Sequence, residues 1–312
     1  MNEFPKISFV IPFCTIEKEE QLLLDEKEHN HFIQTDSYSI ADSTNRVLLN
    51  IEKNCKQDYE IIVVDNSNTF NKFLKQDDYK YLRVIKGLQN LYESNVLRSG
   101  LIQSHQDGRM VQKMMGNMTM WTSLAFHQGI QSADGEYIVL QHNDLYYHND
   151  FFDMLIEDLN KYAYISVDNK KVWLSTYLKY PELQDYEREL KYDFHGRPPK
   201  ISPEDGGYVK TEFGFSDAYF FMCKKSFFDD YDVDWKYGDS NHGATLKCLE
   251  LNLPYKHLGP YYDNPNFKTP KGLHTYQYGS IDFCTHLKGG ISENKLSNEL
   301  YRREVDEWLS KL

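Results

Sequence analysis

EIIVVD, Glu60–Asp65, sets four consecutive aliphatic residues before a carboxylate, and Asn66-Ser67-Asn68 follows as a turn. A short apolar run without polar alternation, rich in β-branched residues, predicts a strand buried on both faces. Upstream, Ser39–Lys56 carries Ile40, Val47, Leu48 and Ile51 near helical spacing. Further upstream, Ile7–Pro12 (ISFVIP) reads as a second strand of the same buried kind. Downstream come a weaker strand at Tyr81–Ile85 and a helix over Met118–Ser132 that stops near Asp134-Gly135. Glu136–Leu140 (EYIVL) is a fourth strand, and Phe151–Asn160 an amphipathic helix. Strands alternating with helices in this way predict an α/β fold with an open, mostly parallel central sheet flanked by helices. Ligands of such sheets bind outside the carboxyl ends of the strands. Pro12–Thr15, Asp65–Ser67 and Gln141–Asp144 therefore become the first candidate residues, drawn from three strands but expected on one rim.

The second half is less regular. Residues 16–36 and 179–210 read as polar surface excursions, the latter rich in charge, Pro and Gly. Phe213–Cys223 predicts a strand, Lys224–Phe228 the start of a short helix, and Ala244–Leu251 a helix ended by Asn252 and Pro254. Residues 259–280, with many Pro, Gly, Asn and Tyr, read as a loop over the cleft. Asn294–Leu312 reads as a terminal amphipathic helix. The organisation expected is a ligand-binding half over 1–155 and a second half over 156–312.

Composition narrows the function classes. A net charge of -12 over 312 residues, with no basic stripe, excludes a nucleic-acid partner and a polybasic lipid anchor. Cys14, Cys55, Cys223, Cys248 and Cys284 form no CxxC and are odd in number, so neither a disulfide framework nor a zinc ribbon is expected. No apolar run of about 18 residues occurs, and the start MNEFPKISFVIPF lacks the pattern of a signal peptide. The expectation is a cytoplasmic protein with at most peripheral membrane contact. No GxGxxG follows a strand, which argues against a dinucleotide oxidoreductase.

Three segments resemble family-2-type glycosyltransferases of the GT-A fold. They are Ile7–Thr15 (ISFVIPFCT), Leu48–Thr69 (LLNIEKNCKQDYEIIVVDNSNT) and Ala125–Leu155 (AFHQGIQSADGEYIVLQHNDLYYHNDFFDML), in the family's order and spacing. The resemblance implies transfer of a sugar from a nucleotide-diphosphate donor to a glycan or lipid-linked acceptor hydroxyl, with inversion. It implies that Asp65 accepts hydrogen bonds from the base, with Pro12 and Thr15 beside it and Asn66 against the ribose. Gln141-His142-Asn143-Asp144 stands where the family carries its metal-binding DxD motif, which implies Mn2+ or Mg2+ on the donor diphosphate. Aligned on Leu140 and Leu145, the two aspartates fall on Gln141 and Asn143, and Asp144 alone keeps a carboxylate. Asn143 and Asp144 are thus the candidate metal ligands, with His274 in GLHTY as a late histidine. Strand alternation points His142 away from its neighbours, which leaves it outside the set.

Asp239 in YGDSNHGATLKCLELNLPY resembles the family's catalytic base, and Asp217, inside the aromatic run FSDAYFFMC, is its rival. The family's arginine before Gly-Ile is replaced in Ala125-Phe126-His127, with Arg109 and Lys113 the nearest cations by charge. Each candidate also has a structural reading. Asp65 caps a turn, Asp239 caps a helix, and Asn143-Asp144 turns the chain. The missing aspartates favour a non-catalytic nucleotide- or glycan-binding protein on the same scaffold. A sugar-phosphate nucleotidyltransferase would want a Gly-rich basic loop where Phe13-Cys14-Thr15-Ile16 stands.

Overall fold

The computed structural model describes residues 6–13, 37–87, 125–173, 189–191, 208–231, 242–259, 261–263, 274–286 and 307. Thr15, Arg109, Lys113 and Asp239 lie outside the described residues, as does most of 294–312. Side chains are described for most of these positions but not for Asp217 or His274.

The apolar runs form the centre of the main sheet. Strands β1 (Ile7–Phe13), β2 (Tyr59–Asp65), β3 (Leu82–Lys86) and β4 (Tyr137–Gln141) pair in parallel, in the order β3-β2-β1-β4. The sheet continues through β8 (Tyr208–Lys224), β6 (Tyr164–Trp173) and β9 (Lys256–Leu258), with β7 (Glu189–Lys191) also on β8. Of these eight strands β8 runs against the others: it is antiparallel to β4, β6 and β7, while β6 and β9 are parallel. The open, mostly parallel α/β sheet read from sequence is the observed architecture.

Both faces of this sheet are buried, which explains the unbroken apolar runs. Phe9 and Ile11 of β1, Ile61 and Val63 of β2, Val139 of β4 and Phe220 of β8 face one core. Val10, Ile62, Val64, Ile138, Leu140 and Phe221, between them in sequence, face the other. The first core is closed by helix α1 (Ser37–Asn54), through Val47, Leu48 and Ile51, and by α2 (Phe152–Asp158), through Phe152 and Leu155. The second is closed by a helical stretch over 125–132, through Ala125, Phe126 and Ile130, and by α3 (His242–Glu250), through Ala244 and Cys248.

A second, antiparallel sheet in the order β10-β11-β12-β5 packs on the α1 side. Its strands are β5 (Leu145–Tyr147), β10 (Tyr261–Asp263), β11 (His274–Tyr278) and β12 (Ile281–His286). The loop expected over 259–280 is thus corrected: β10 and β11 fall within it. Composition suggested a loop because local Pro and Gly dominate the stretch. Pairing decides otherwise, since Tyr276, Phe283 and Cys284 bury against the first core and strand preference follows such tertiary partners. Gly279, at φ +65, supplies the left-handed turn residue between β11 and β12.

The 125–132 helix lies close on β1. A Cβ built on Gly129 would stand 2.1 Å from Val10 Cγ1, and Val10 is fully buried. Ala favours a helix over Gly by about 1 kcal/mol, but overpacking a core costs about 1–3 kcal/mol. Gly129→Ala is therefore expected to lower stability despite its better helix propensity, read as an earlier urea midpoint with an unchanged slope.

Candidate functional site

The strand order β3-β2-β1-β4 reverses direction at β1. Successive strands step outward through β2 and β3, and then β4 lies on the other side of β1. Such a switch point opens a crevice outside the carboxyl ends of the strands. Phe13, Asp65 and Lys86 share that rim by register, and β4 ends beside them at Gln141.

Three side chains converge just beyond β4. His142, Asp144 and His286 each offer a ligand atom within 4.8 Å of the others. His286 Nε2 lies 3.0 Å from Asp144 Oδ1, with the two side chains 3% and 13% exposed. The distance suits an ion pair, but the angle makes no hydrogen bond. Asp144 Oδ1 and both ring nitrogens of His286 are buried without a hydrogen-bond partner among the described residues. Such orphaned atoms are costly unless something binds them.

The local structure explains why they meet. β4 ends at Gln141, the His142 N–H still donates to the Tyr219 carbonyl at 3.3 Å, and the chain turns at 143–144. The expectation that leaves His142 outside the ligand set is corrected, because its ring lies with Asp144 and His286 and not with the engaged amides of Gln141 and Asn143. Its ring meets Tyr219 edge-on at 5.0 Å and His286 at 5.7 Å, and Tyr219 stacks on His286 at 3.6 Å. After the turn the chain enters β5, which pairs with β12 so that Leu145 faces His286. That register delivers His286 beside Asp144. Helix α1 holds the turn and β5 in place. Ser43 Oγ donates to the Asn143 carbonyl at 3.0 Å, Asn50 Nδ2 donates to the Tyr147 carbonyl at 3.0 Å, and Tyr147 N–H donates to Asn50 Oδ1 at 2.7 Å.

Burial pushes the His142 imidazole down to about 4; Asp144 opposes that shift and His286 adds to it. Burial works to raise the Asp144 carboxyl, but His286 and then His142 outweigh it and hold the carboxyl below its usual value. Near neutral pH His142 is therefore uncharged with a free lone pair, and Asp144 is a carboxylate. Two imidazoles and one carboxylate are a sound donor set for a divalent ion. Donors about 2.1 Å from one ion lie at most about 4.2 Å apart, so side-chain shifts under about 1 Å bring all three onto it. The residues fit a metal.

The other candidates occupy varied places. Asp65 is 5% exposed. Its Oδ1 accepts from Ser67 N–H at 3.0 Å and Ser67 Oγ at 2.8 Å, and its Oδ2 accepts from Phe70 N–H at 2.7 Å. It thus caps the turn and keeps one lone pair, on Oδ2, for a ligand. Asn66 is buried beside it, and Pro12 is half-buried on β1. Gly87 lets the chain pass, since a Cβ there would stand 2.0 Å from Asn66 Oδ1. Gln141 is fully buried, with its carbonyl accepting from Tyr147 OH. Asn143 turns its amide toward α1, donating to Thr44 Oγ1 at 3.2 Å. His274 stands opposite His286 in the β11–β12 ladder. Asp217 lies where the β6–β8 register shifts, two residues before Tyr219. Sequence reading missed His142 and His286. The available signal was a histidine closing an alternating run, IDFCTH, at Ile281–His286.

No protein-family model matches the chain, and no curated protein matches it. Among solved structures it is similar to the mannosyltransferase PcManGT from Pyrobaculum calidifontis in complex with GDP-Man and Mn2+. That match has a TM-score of 0.40 and 11% identity, over 83% of this chain and 56% of that one. It is also similar to S. aureus TarS 1-349 in complex with UDP-GlcNAc. There the TM-score is 0.39 and identity 12%, over 80% of this chain and 55% of that one. The chain thus spans little more than half the length of either. Likeness at this level carries no argument about activity, and the functional reading rests on the site.

Two outcomes follow from this geometry. Asn50→Ala leaves the buried Tyr147 N–H without its acceptor, which costs about 1–3 kcal/mol and is measurable by urea unfolding. For the pH response, the lowered His142 makes the unfolded chain bind a proton that the folded chain does not, between about 6.5 and about 4. The lowered Asp144 carboxyl adds stability that is present above 3.8 and lost below it. Melts of the metal-free protein are expected to fall as pH drops from about 6.5 to 4, and further below 3.8.

Proposed function

We propose that the chain is a glycosyltransferase that moves a sugar from a nucleotide-diphosphate donor to a glycan or lipid-linked acceptor hydroxyl, with inversion. The observation that carries this reading is the His142–Asp144–His286 triad, two residues half-buried and His286 buried, at the carboxyl-end crevice of a mostly parallel sheet. The donor base sits by Asp65, Asn66 and Pro12, and the diphosphate lies toward Asp144. Residues 1–155 bind the donor and 156–312 bind the acceptor, with His286 reaching across that division. Asp144, His142 and His286 hold the divalent ion, which neutralises charge developing on the leaving diphosphate. Asn143 and His274 belong to the same neighbourhood. Asp217 or Asp239 takes the proton of the acceptor hydroxyl. Among the described residues no helix is long and apolar enough to cross a membrane. We place the enzyme in the cytoplasm with at most peripheral membrane contact, on the sequence reading alone.

One observation favours a second reading, a nucleotide- or glycan-binding protein without turnover. Gln141 is engaged by Tyr147 and Asn143 by Thr44, so neither replaces the carboxylates of the usual motif.

The test is a panel of nucleotide sugars with Mn2+, Mg2+ or chelator, read by melting temperature and donor hydrolysis. A donor at about 100 times its Kd stabilises the fold by about 2.7 kcal/mol. One donor is expected to raise the melt and to be slowly hydrolysed, with hydrolysis lost in Asp144→Ala. Binding without turnover would move the assignment to the second reading as a nucleotide binder, and no binding by any donor would overturn the transferase and leave only glycan binding.

A further inference from the structure

Resting on the reading of this rim as a metal-assisted donor site, we propose that His142, Asp144 and His286 form a site for a late first-row transition ion of the Zn2+ and Co2+ class. The ion binds before any nucleotide, and Mg2+ is excluded.

The donor chemistry points this way first. Mg2+ takes oxygen ligands, keeps several waters and dehydrates reluctantly. Two of the three donors here are imidazole nitrogens, which suit Zn2+, Cu2+, Fe2+ and Ni2+, with Co2+ between Fe2+ and Ni2+ in the affinity order. Charge gives a second reason. A site with two carboxylates neutralises a divalent ion, whereas two neutral imidazoles and one carboxylate leave a net +1. That residual charge is available to an anionic diphosphate.

Burial and preorganisation supply the rest. His286 is 3% exposed and Asp144 13%, so an ion entering must shed most of its water on the protein side. The orphaned Asp144 Oδ1 and one ring nitrogen of His286 gain a partner when it does. The three donors are already gathered by the β5–β12 register, by the Ser43 bond to the 143–144 turn and by the Tyr219 ring against both imidazoles. A protein that provides three ligands unaided has no need of phosphate oxygens to complete a weak site. The competing account is a buried Asp144–His286 ion pair. It gives His142 no role beside them, although its ligand atom stands within 4.8 Å of both.

The experiment uses the full chain, stripped of metal and free of nucleotide. Zn2+, Co2+, Mn2+ and Mg2+ are titrated separately by calorimetry, and Co2+ binding is also followed by its visible d–d absorption. The expected result is one ion per chain, with Zn2+ and Co2+ tighter than Mn2+, no saturable Mg2+ heat, and a Co2+ spectrum of mixed nitrogen and oxygen ligation. Outer-shell changes at metal sites cost about 10–100-fold in affinity, so loss of a ligand in His142→Ala or His286→Gln is expected to cost roughly 100-fold or more. Far-UV circular dichroism reports whether each variant folds, and the wild-type Co2+ spectrum needs no variant.

Mg2+ binding as tight as Zn2+, no transition-metal binding, or Zn2+ binding unchanged in both folded variants would each overturn the proposal. A nucleotide-sugar melt shift, measured in parallel with the ion present and in chelator, separates this failure from that of the proposed function. Donor binding without Zn2+ or Co2+ binding sinks the metal assignment alone. Triad-dependent metal binding with no donor response sinks the transferase and leaves the metal site standing.

Discussion

β1 lies between β2 and β4 with both of its faces buried, and every other element is placed by that arrangement. Lateral hydrogen bonds to two neighbours satisfy its backbone, while its side chains are divided between two cores. The strand period is two, so a slip of one residue would exchange Phe9 and Ile11 with Ser8, Val10 and Pro12 and bury the wrong set. This strictness levels the carboxyl ends of β1 and β2, where Phe13 faces Asp65. The crevice follows from strand order, and strand order follows from which runs are apolar enough to be covered twice.

A second constraint builds the chemistry at that crevice. After β4 the chain leaves the large sheet through the 143–144 turn and joins the small one as β5. The seam between the sheets is narrow and polar groups there must be satisfied. Asn50 answers both backbone groups of Tyr147, and Asn54 Nδ2 adds a bond of 3.2 Å to the same carbonyl. Ser43 answers the carbonyl of Asn143. Among the described residues, the buried side-chain atoms these bonds leave unanswered are those of Asp144 and His286, together with Arg83 Nε elsewhere. Arg83 is part of an ion-pair network with Glu60 and Asp134, tied to the loop before β4. The unsatisfied atoms at the seam have no such network, and an ion is what their chemistry fits.

Away from the rim, polar clusters serve packing. Tyr278 OH donates to Asp158 at 2.6 Å while the Lys256 ammonium bonds the same carboxylate, tying α2 to both sheets. Tyr164 OH meets Thr245 at 2.8 Å, fastening α3 to β6. Cys55, Cys223, Cys248 and Cys284 are buried thiols whose pKa burial raises, which suits inert core residues.

The sequence by itself determined the parallel part of the main sheet, β1 to β4, and located β8, but not β6, β7 or β9. EIIVVD, ISFVIP and EYIVL are too apolar and too short for anything but doubly covered strands, and Val47, Leu48 and Ile51 mark the helix that covers one face. It also located the rim, because the polar residues at strand ends are local features, as with Asp65, Gln141 and Asp144. Tertiary structure alone decided the small sheet and the ligand set. β5 is three residues long and finds its partner in β12, which begins at Ile281, so no local pattern announces the pair. His286 reaches Asp144 through that long-range register, and it is this that gives His142, two residues before Asp144, a partner across the seam. Short-range periodicity records which faces are buried. Which distant strand end meets a given turn depends on hydrogen-bond partners that lie far apart in the chain.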